Sequence, residues 1–245
     1  MQLKDGERID DLEYKNLKII QNKDGFCFGI DSVILSDFAK EIRNGSKGLD
    51  LGTGTGVLGI LLCGKTELSK IYGIEIQQEV AEMAKRSVEL NHLENRFEII
   101  NEDIKNTNIL FEKESFDFIV TNPPYKKTNT GGINENEKKS ISRHELKARL
   151  EDFIEISSKM LKDKGTLYMV HRPDRLADIL CDLRNKKLEP KEIRFVYPNK
   201  EKEPNLLLIK AVKNGGKFLK VDKPLFVYDE KGEYTKEILK IYNKI

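Results

Sequence analysis

Paired or clustered cysteines are missing from this chain. Cys27, Cys63 and Cys181 are odd in number and follow neither metal-ligand nor redox spacing. No disulfide framework or cysteine zinc site is indicated, and a reducing, cytoplasmic setting is expected. His92 and His171 read as the ends of a helix and a strand, with no ligand-spaced partner, so no metal is expected. No apolar run approaches the ~20 residues of a membrane-spanning helix, and no secretory leader opens the sequence. An excess of one charge is missing too. The 43 basic and 41 acidic residues leave a net +2, so no global field marks the chain as a polyanion binder. The glycine turn at 52–56 is not closed by Gly-Lys-Ser/Thr, since Gly64-Lys65-Thr66 comes only after the helix-like run 60–62, so that turn does not read as a P-loop. There is no internal repeat and no second large domain. At 245 residues the chain fits one α/β domain able to bury a sizeable core.

What is present is an alternation of strand-like and helix-like runs. Helices are expected over 32–40, 79–91, 146–161 and 174–187, and strands over 165–170, 193–197 and 206–212, with a strand-like run at 225–228. Strands alternating with helices predict an α/β fold with a doubly wound, mostly parallel sheet. The segments divide as 1–45 before the first core strand, 46–215 as the main domain, and 216–245 as a C-terminal tail after Asn214-Gly215-Gly216. Lys236, Lys240 and Lys244 recur at i, i+4 and i+8, which on a terminal helix would make one basic face.

Two motifs carry chemistry. Gly48-Leu49-Asp50-Leu51 runs into Gly52-Thr53-Gly54-Thr55-Gly56 and then the helix-like Ile60-Leu61-Leu62. A strand ending in an acidic residue and a glycine turn lets a ligand approach the backbone, and it opens a helix with free N–H groups. The spacing G-x-G-x-G differs from the dinucleotide fingerprint G-x-G-x-x-G. About 20 residues on, Glu75 closes the next strand-like run, where an acidic side chain can hold a ribose hydroxyl pair. The second motif is Asn122-Pro123-Pro124-Tyr125, after the apolar run 116–120. A strand's C-terminal end is where open α/β sheets bind ligands. Two prolines remove two backbone donors, so this segment offers carbonyls only, beside the Asn122 amide and the Tyr125 ring. Acceptors beside an aromatic face suit a planar group bearing an NH2. A plain Pro-Pro stop at a strand end is the alternative.

In this order the motifs resemble the class I S-adenosylmethionine-dependent methyltransferases, in the amino-methylating branch that carries Asn-Pro-Pro-Tyr. The resemblance spans roughly residues 20 to 215 and implies a Rossmann-like, seven-stranded sheet. It implies that Asp50, Gly52, Thr53, Gly54 and Gly56 surround the methionine part of S-adenosyl-L-methionine. Glu75 with Ile76 would meet its ribose, Asp103 with Ile104 its adenine, and Asn122 would border it. Asp103 could instead be a turn or capping residue.

The segment 19–35, including Gln21, Gly25-Phe26, Phe28, Asp31 and Leu35, is similar to the entry segment of bacterial tRNA adenine-N6 methyltransferases acting on adenosine 37 of valine tRNA. By this resemblance it crosses the cofactor site, with Phe28 and Asp31 near the cofactor. Asp31 as a helix N-cap is the competing reading. Cys27 departs from the basic or polar residue expected there. Arg143-His144-Glu145 also resembles that group, and His144 reads better as loop anchor or RNA contact than as a base. The polar loop 126–142 cannot pack. Lys126, Lys127, Lys138, Lys139 and Arg143 around it are the candidate RNA contacts.

The implied chemistry is methyl transfer to an adenine N6 amine of tRNA by a monomer. Asn122 and the Pro123 carbonyl would accept the two N6–H bonds, favouring a pyramidal nitrogen that exists only near the transition state. Tyr125 would stack on the base. Release-factor glutamine methyltransferases share the tetrapeptide but usually carry some 70 helical residues before the first core strand, more than are present here. DNA methylation would need a target-recognition domain. A non-catalytic binding or assembly factor is the remaining alternative.

Overall fold

The computed structural model describes residues 3–23, 28–125 and 148–245. An N-terminal hairpin pairs β1 (Glu7–Asp11) with β2 (Lys18–Asn22) antiparallel. Helix α1 (Ile30–Phe38) follows, and then the main sheet begins. Its first part alternates β3 (Lys47–Leu51), α2 (Val57–Lys65), β4 (Lys70–Glu75), α3 (Gln78–Leu90) and β5 (Phe97–Asn101). After the one-turn helix α4 (Thr107–Leu110) come β6 (Phe116–Thr121), α5 (Leu150–Met160), β7 (Leu161–His171) and α6 (Leu176–Asn185). The chain closes with β8 (Leu188–Tyr197), β9 (Leu206–Lys213), the two-residue strands β10 (Lys220–Val221) and β11 (Leu225–Phe226), and α7 (Lys236–Ile241).

Sheet order is β10-β8-β9-β7-β6-β3-β4-β5, with β11 also on the β8 edge. Strands β3 to β7 run parallel, and β9 is antiparallel to both neighbours, β7 and β8. The doubly wound parallel sheet expected from the sequence is therefore present. It holds nine strands where seven were expected, because β10 and β11 pair in succession along the outer edge of β8. The chain crosses from β3 to its neighbours on opposite sides, β4 and β6, which makes the C-terminal end of β3 the switch point where such folds bind ligands.

Two apolar layers cover the sheet. On one face Ile34, Leu61, Phe97 and Phe118 pack with Ile238 and Ile241 of α7, so residues from the C-terminal segment enter this core. On the other, Phe116, Ile119 and Phe153 pack with Leu183 and Leu207. Two contacts with aromatic rings need glycine. A Cβ on Gly48 would lie 2.0 Å from the Phe118 ring, and one on Gly59 2.2 Å from Phe97. The hairpin is tied to α3 by the Arg86–Glu7 ion pair at 2.5 Å and by Ile20 N–H donating to Ser87 Oγ at 3.0 Å.

Several element ends differ from the sequence expectation. Helix α1 starts at Ile30, two residues early, because extended Gly29 is its N-cap; Asp31 is thus inside the first turn and is not the cap. Residues 173–175 form a 3₁₀ turn before α6. Helix α5 begins at Leu150. Strand β11 stops at Phe226. Helix α7 ends at Ile241, so Lys244 falls beyond it and pairs with Glu13 at 2.8 Å; the proposed three-lysine helical face does not form.

Candidate active site

The site is assembled by strand register. Leu51, the last residue of β3, pairs with Thr121, the last residue of β6. The glycine turn and Asn122-Pro123-Pro124-Tyr125 therefore leave the sheet side by side. The buried Thr121 hydroxyl donates to the Leu51 carbonyl at 2.9 Å, closing the join. Glu75, at the end of β4, pairs with Asn101 at the end of β5, and Asn101 Nδ2 donates to the Glu75 carbonyl at 2.8 Å. Asp50, Glu75 and Asp103 thus lie at the ends of three neighbouring strands, with strand spacing of about 4.8 Å.

The turn is shaped by left-handed glycines, with φ of 71° at Gly52, 57° at Gly54 and 90° at Gly56, which caps α2. A side chain on Gly54 would meet nothing within 4 Å, so this backbone borders open space. Behind it, Asp50 is 1% exposed and accepts from the Thr53 hydroxyl at 2.6 Å. Burial is the main cause that pushes its carboxyl up to about 7; the Thr53 hydrogen bond opposes this and the negative charge of Glu75 adds to it. Glu75 accepts from Gly54 N–H at 3.1 Å and Gln77 N–H at 2.8 Å, which locks the turn to the acidic strand end. Ile76 is exposed beside it, while Ile104 is buried. Asp103 Oδ1 accepts from Lys105 N–H at 3.0 Å and caps a 3₁₀ turn.

At the tetrapeptide, Pro123 is buried and Pro124 exposed. Asn122 Nδ2 donates to Asp31 Oδ2 at 3.1 Å and to Ser32 Oγ at 3.3 Å. The Tyr125 hydroxyl donates to Asn122 Oδ1 at 2.6 Å and lies 3.5 Å from Asp31 Oδ2. Burial, and next the nearby Asp31 carboxylate, hold this phenol well above its ordinary range, so it stays a donor. The Tyr125 ring packs edge-on against His171, with centroids 5.1 Å apart. Burial keeps His171 less basic than usual. Phe28 N–H donates to Gln21 Oε1 at 2.8 Å, and its side chain packs against the core beside α1.

Ser32, Thr121 and His171 were not among the candidates read from the sequence. Their only signal is register and α1 packing, which a linear reading does not contain. Cys27, Lys126, Lys127, Lys138, Lys139, Arg143 and His144 lie outside the described residues. Among the described residues no His/Cys/Asp/Glu group suits a metal ion, and no helix is long and apolar enough to cross a membrane.

Residues 30–179 match the methyltransferase small domain model, more than half of the chain. The chain belongs to this family. Among its relatives is a protein of Porphyromonas gingivalis named tRNA1(Val) (adenine(37)-N6)-methyltransferase, 30% identical over 81% of this chain and 79% of its own length. A protein of the same name from a Flavobacteriaceae bacterium is 25% identical over 93% of this chain and 94% of its own. Solved structures share the fold. A predicted O-methyltransferase from Agrobacterium tumefaciens superposes with a TM-score of 0.69 at 21% identity, covering 87% of this chain and 95% of its own. The TYW2 protein of M. jannaschii, in complex with AdoMet, does so at 0.57 and 14% identity, covering 86% and 87%.

Proposed function

We propose that this methyltransferase transfers a methyl group from S-adenosyl-L-methionine to the N6 amine of an adenine in tRNA, and that the adenine is adenosine 37 of valine tRNA. The observation that carries the reading is the Leu51–Thr121 pairing, which sets a cofactor-shaped turn directly beside an oriented amide acceptor. The relatives' names point to the same substrate.

The turn fits the donor. Gly54 exposes backbone to open space, the buried Asp50 carboxylate is a partner for a cationic ammonium, and Glu75 retains acceptor capacity for ribose hydroxyls. When bound, S-adenosyl-L-methionine supplies an electrophilic methyl group on a sulfonium. The rest is the work of the chain. Asn122 Oδ1 has two lone pairs, one taken by Tyr125, which leaves one for an N6–H. The Pro123 carbonyl offers the second acceptor. Both bonds strengthen as the amine turns pyramidal, so they act on turnover more than on ground-state binding. Pro124 and the Tyr125 ring flank the base. An anticodon-loop base can be splayed out, as such a pocket requires. On this reading the enzyme acts as a cytoplasmic monomer.

The test is Asn122→Ala with labelled cofactor and, in parallel, total tRNA or release factor. Incorporation into tRNA but not release factor, lost by about 100-fold in the variant with cofactor affinity unchanged by calorimetry, is expected. A variant retaining more than about a tenth of wild-type turnover removes Asn122 from the reaction, since a lost transition-state hydrogen bond of this kind costs ~3 kcal/mol.

A further inference from the structure

Asp31 is half-buried in the first turn of α1, yet the helix is capped by Gly29 without a side-chain bond. Its carboxylate reaches instead across 91 positions of sequence to the side chain of Asn122. The reach depends on Gly29 having no side chain, because a Cβ there would sit 2.6 Å from Asp31 Oδ1.

An asparagine amide is nearly symmetric in shape, and rotating it by half a turn exchanges oxygen for NH2. With NH2 facing the target, the site would present donors to an amine that must itself donate. Methyl transfer needs the oxygen there. Asn122 cannot make that choice alone, and the Tyr125 hydroxyl cannot make it either, since a hydroxyl serves as donor or acceptor. A carboxylate only accepts. Asp31 Oδ2 and Ser32 Oγ both accept from Nδ2, and the carboxylate would repel the amide oxygen in the flipped state. We propose that Asp31 is a positioning residue that sets the Asn122 amide with its oxygen toward the acceptor amine, rather than a contact to the cofactor.

A second consequence concerns Tyr125. Its hydroxyl is 2.6 Å from Asn122 Oδ1 and 3.5 Å from Asp31 Oδ2. When the amine takes up Asn122 Oδ1, the phenol proton has Asp31 as its other acceptor. Asp31 is thus an alternative partner for the phenol, while the second lone pair of Asn122 Oδ1 stays open to the amine.

The inference rests on the proposed role of Asn122, and the test separates the two. Single-turnover methylation of tRNA, with enzyme in excess, is measured for Asp31→Ala, Asp31→Asn and Gly29→Ala, each in the wild-type and the Asn122→Ala background. Asp31→Ala should slow the step by about 10- to 100-fold, the range for losing a hydrogen bond to a charged group. Cofactor Kd and the KM for tRNA should stay within about twofold, because neither ligand loses a contact. Asp31→Asn keeps an acceptor oxygen but can itself flip, so it should rescue part of the rate. Gly29→Ala keeps the charge and moves it, and should fall between them. In the Asn122→Ala background all three should have no further effect, as expected for residues acting through one group. A cofactor Kd raised in step with the lost rate, or Asp31 effects that persist in full without Asn122, would overturn the proposal. Full activity of Asn122→Ala alone would sink the role of Asn122 and this inference with it, whereas a slow Asn122→Ala beside an unaffected Asp31→Ala overturns this inference only.

Discussion

The hydroxyl of Thr121 donates to the carbonyl of Leu51 across the two strands that lead into the glycine turn and the Asn-Pro-Pro-Tyr tetrapeptide. Both residues are fully buried. Thr121→Val keeps the shape and removes the donor. It should destabilise the fold by about 1–3 kcal/mol, the cost of leaving a buried polar group without its partner. Urea melts should show a lower midpoint at unchanged slope. An unchanged midpoint would mean that the ladder alone holds the two strand ends in place.

Glu75 braces the glycine turn and is also the proposed ribose contact. Its oxygens accept from Gly54 and Gln77 backbone N–H groups, and the same group faces the site proposed for ribose. Glu75→Ala should weaken S-adenosyl-L-methionine binding by about 1.5–3 kcal/mol in calorimetry. Glu75→Gln retains one acceptor oxygen, and a smaller loss is expected. If both variants bind the cofactor as the wild type does, the carboxylate is only a brace for the turn.

The glycine turn and the strand end before Asn122 were legible in the sequence, because their backbone is set locally. Gly52, Gly54 and Gly56 are adjacent and adopt left-handed backbone, and Pro123-Pro124 mark a strand end by their missing donors. What was not legible is set by distant partners. Gly29, rather than Asp31, caps α1, and only the folded chain shows Asp31 turned toward Asn122. Strand β10 has two residues, too few for any periodic signal, and exists because β8 offers it an edge, whereas β11 lies within the strand-like run read at 225–228. Strand β7 starts at Leu161 directly after α5 ends at Met160, with no turn residue between them to announce the change.

If Asp50 meets the cofactor's ammonium as proposed, cofactor binding should depend on pH. Its ordinary value is 3.8, and burial raises it to about 7 in the folded chain. The folded state then holds this proton more tightly than the unfolded one. Its contribution to stability is present in full below about pH 3.8 and is lost as pH rises through about 7. A cationic ammonium beside Asp50 favours the ionised form and reverses the trend. Affinity for S-adenosyl-L-methionine should therefore rise between pH 6 and 8, with proton release seen as a buffer-dependent calorimetric enthalpy. Asp50→Asn should lower the affinity and flatten its pH dependence, and the cofactor-free variant should lose less stability over the same interval. An Asp50→Asn curve parallel to the wild type would place the titrating group elsewhere.

On the proposed function, RNA affinity would come from a local surface, because the net charge is only +2. Lys126, Lys127, Lys138 and Lys139 follow the acceptor tetrapeptide in sequence, outside the described residues, and their side chains are the candidates for phosphate contact. Each phosphate contact removed should reduce the slope of log affinity against log salt by roughly 0.7 to 0.9. Replacing all four with Ser should weaken tRNA binding and flatten that slope, while cofactor affinity stays unchanged. Filter binding at several salt concentrations reads both quantities. An unchanged slope would turn attention to Arg172, which is exposed at the end of β7 and whose charge reaches the Tyr125 phenol. Arg172→Ser would then be the variant that lowers the slope.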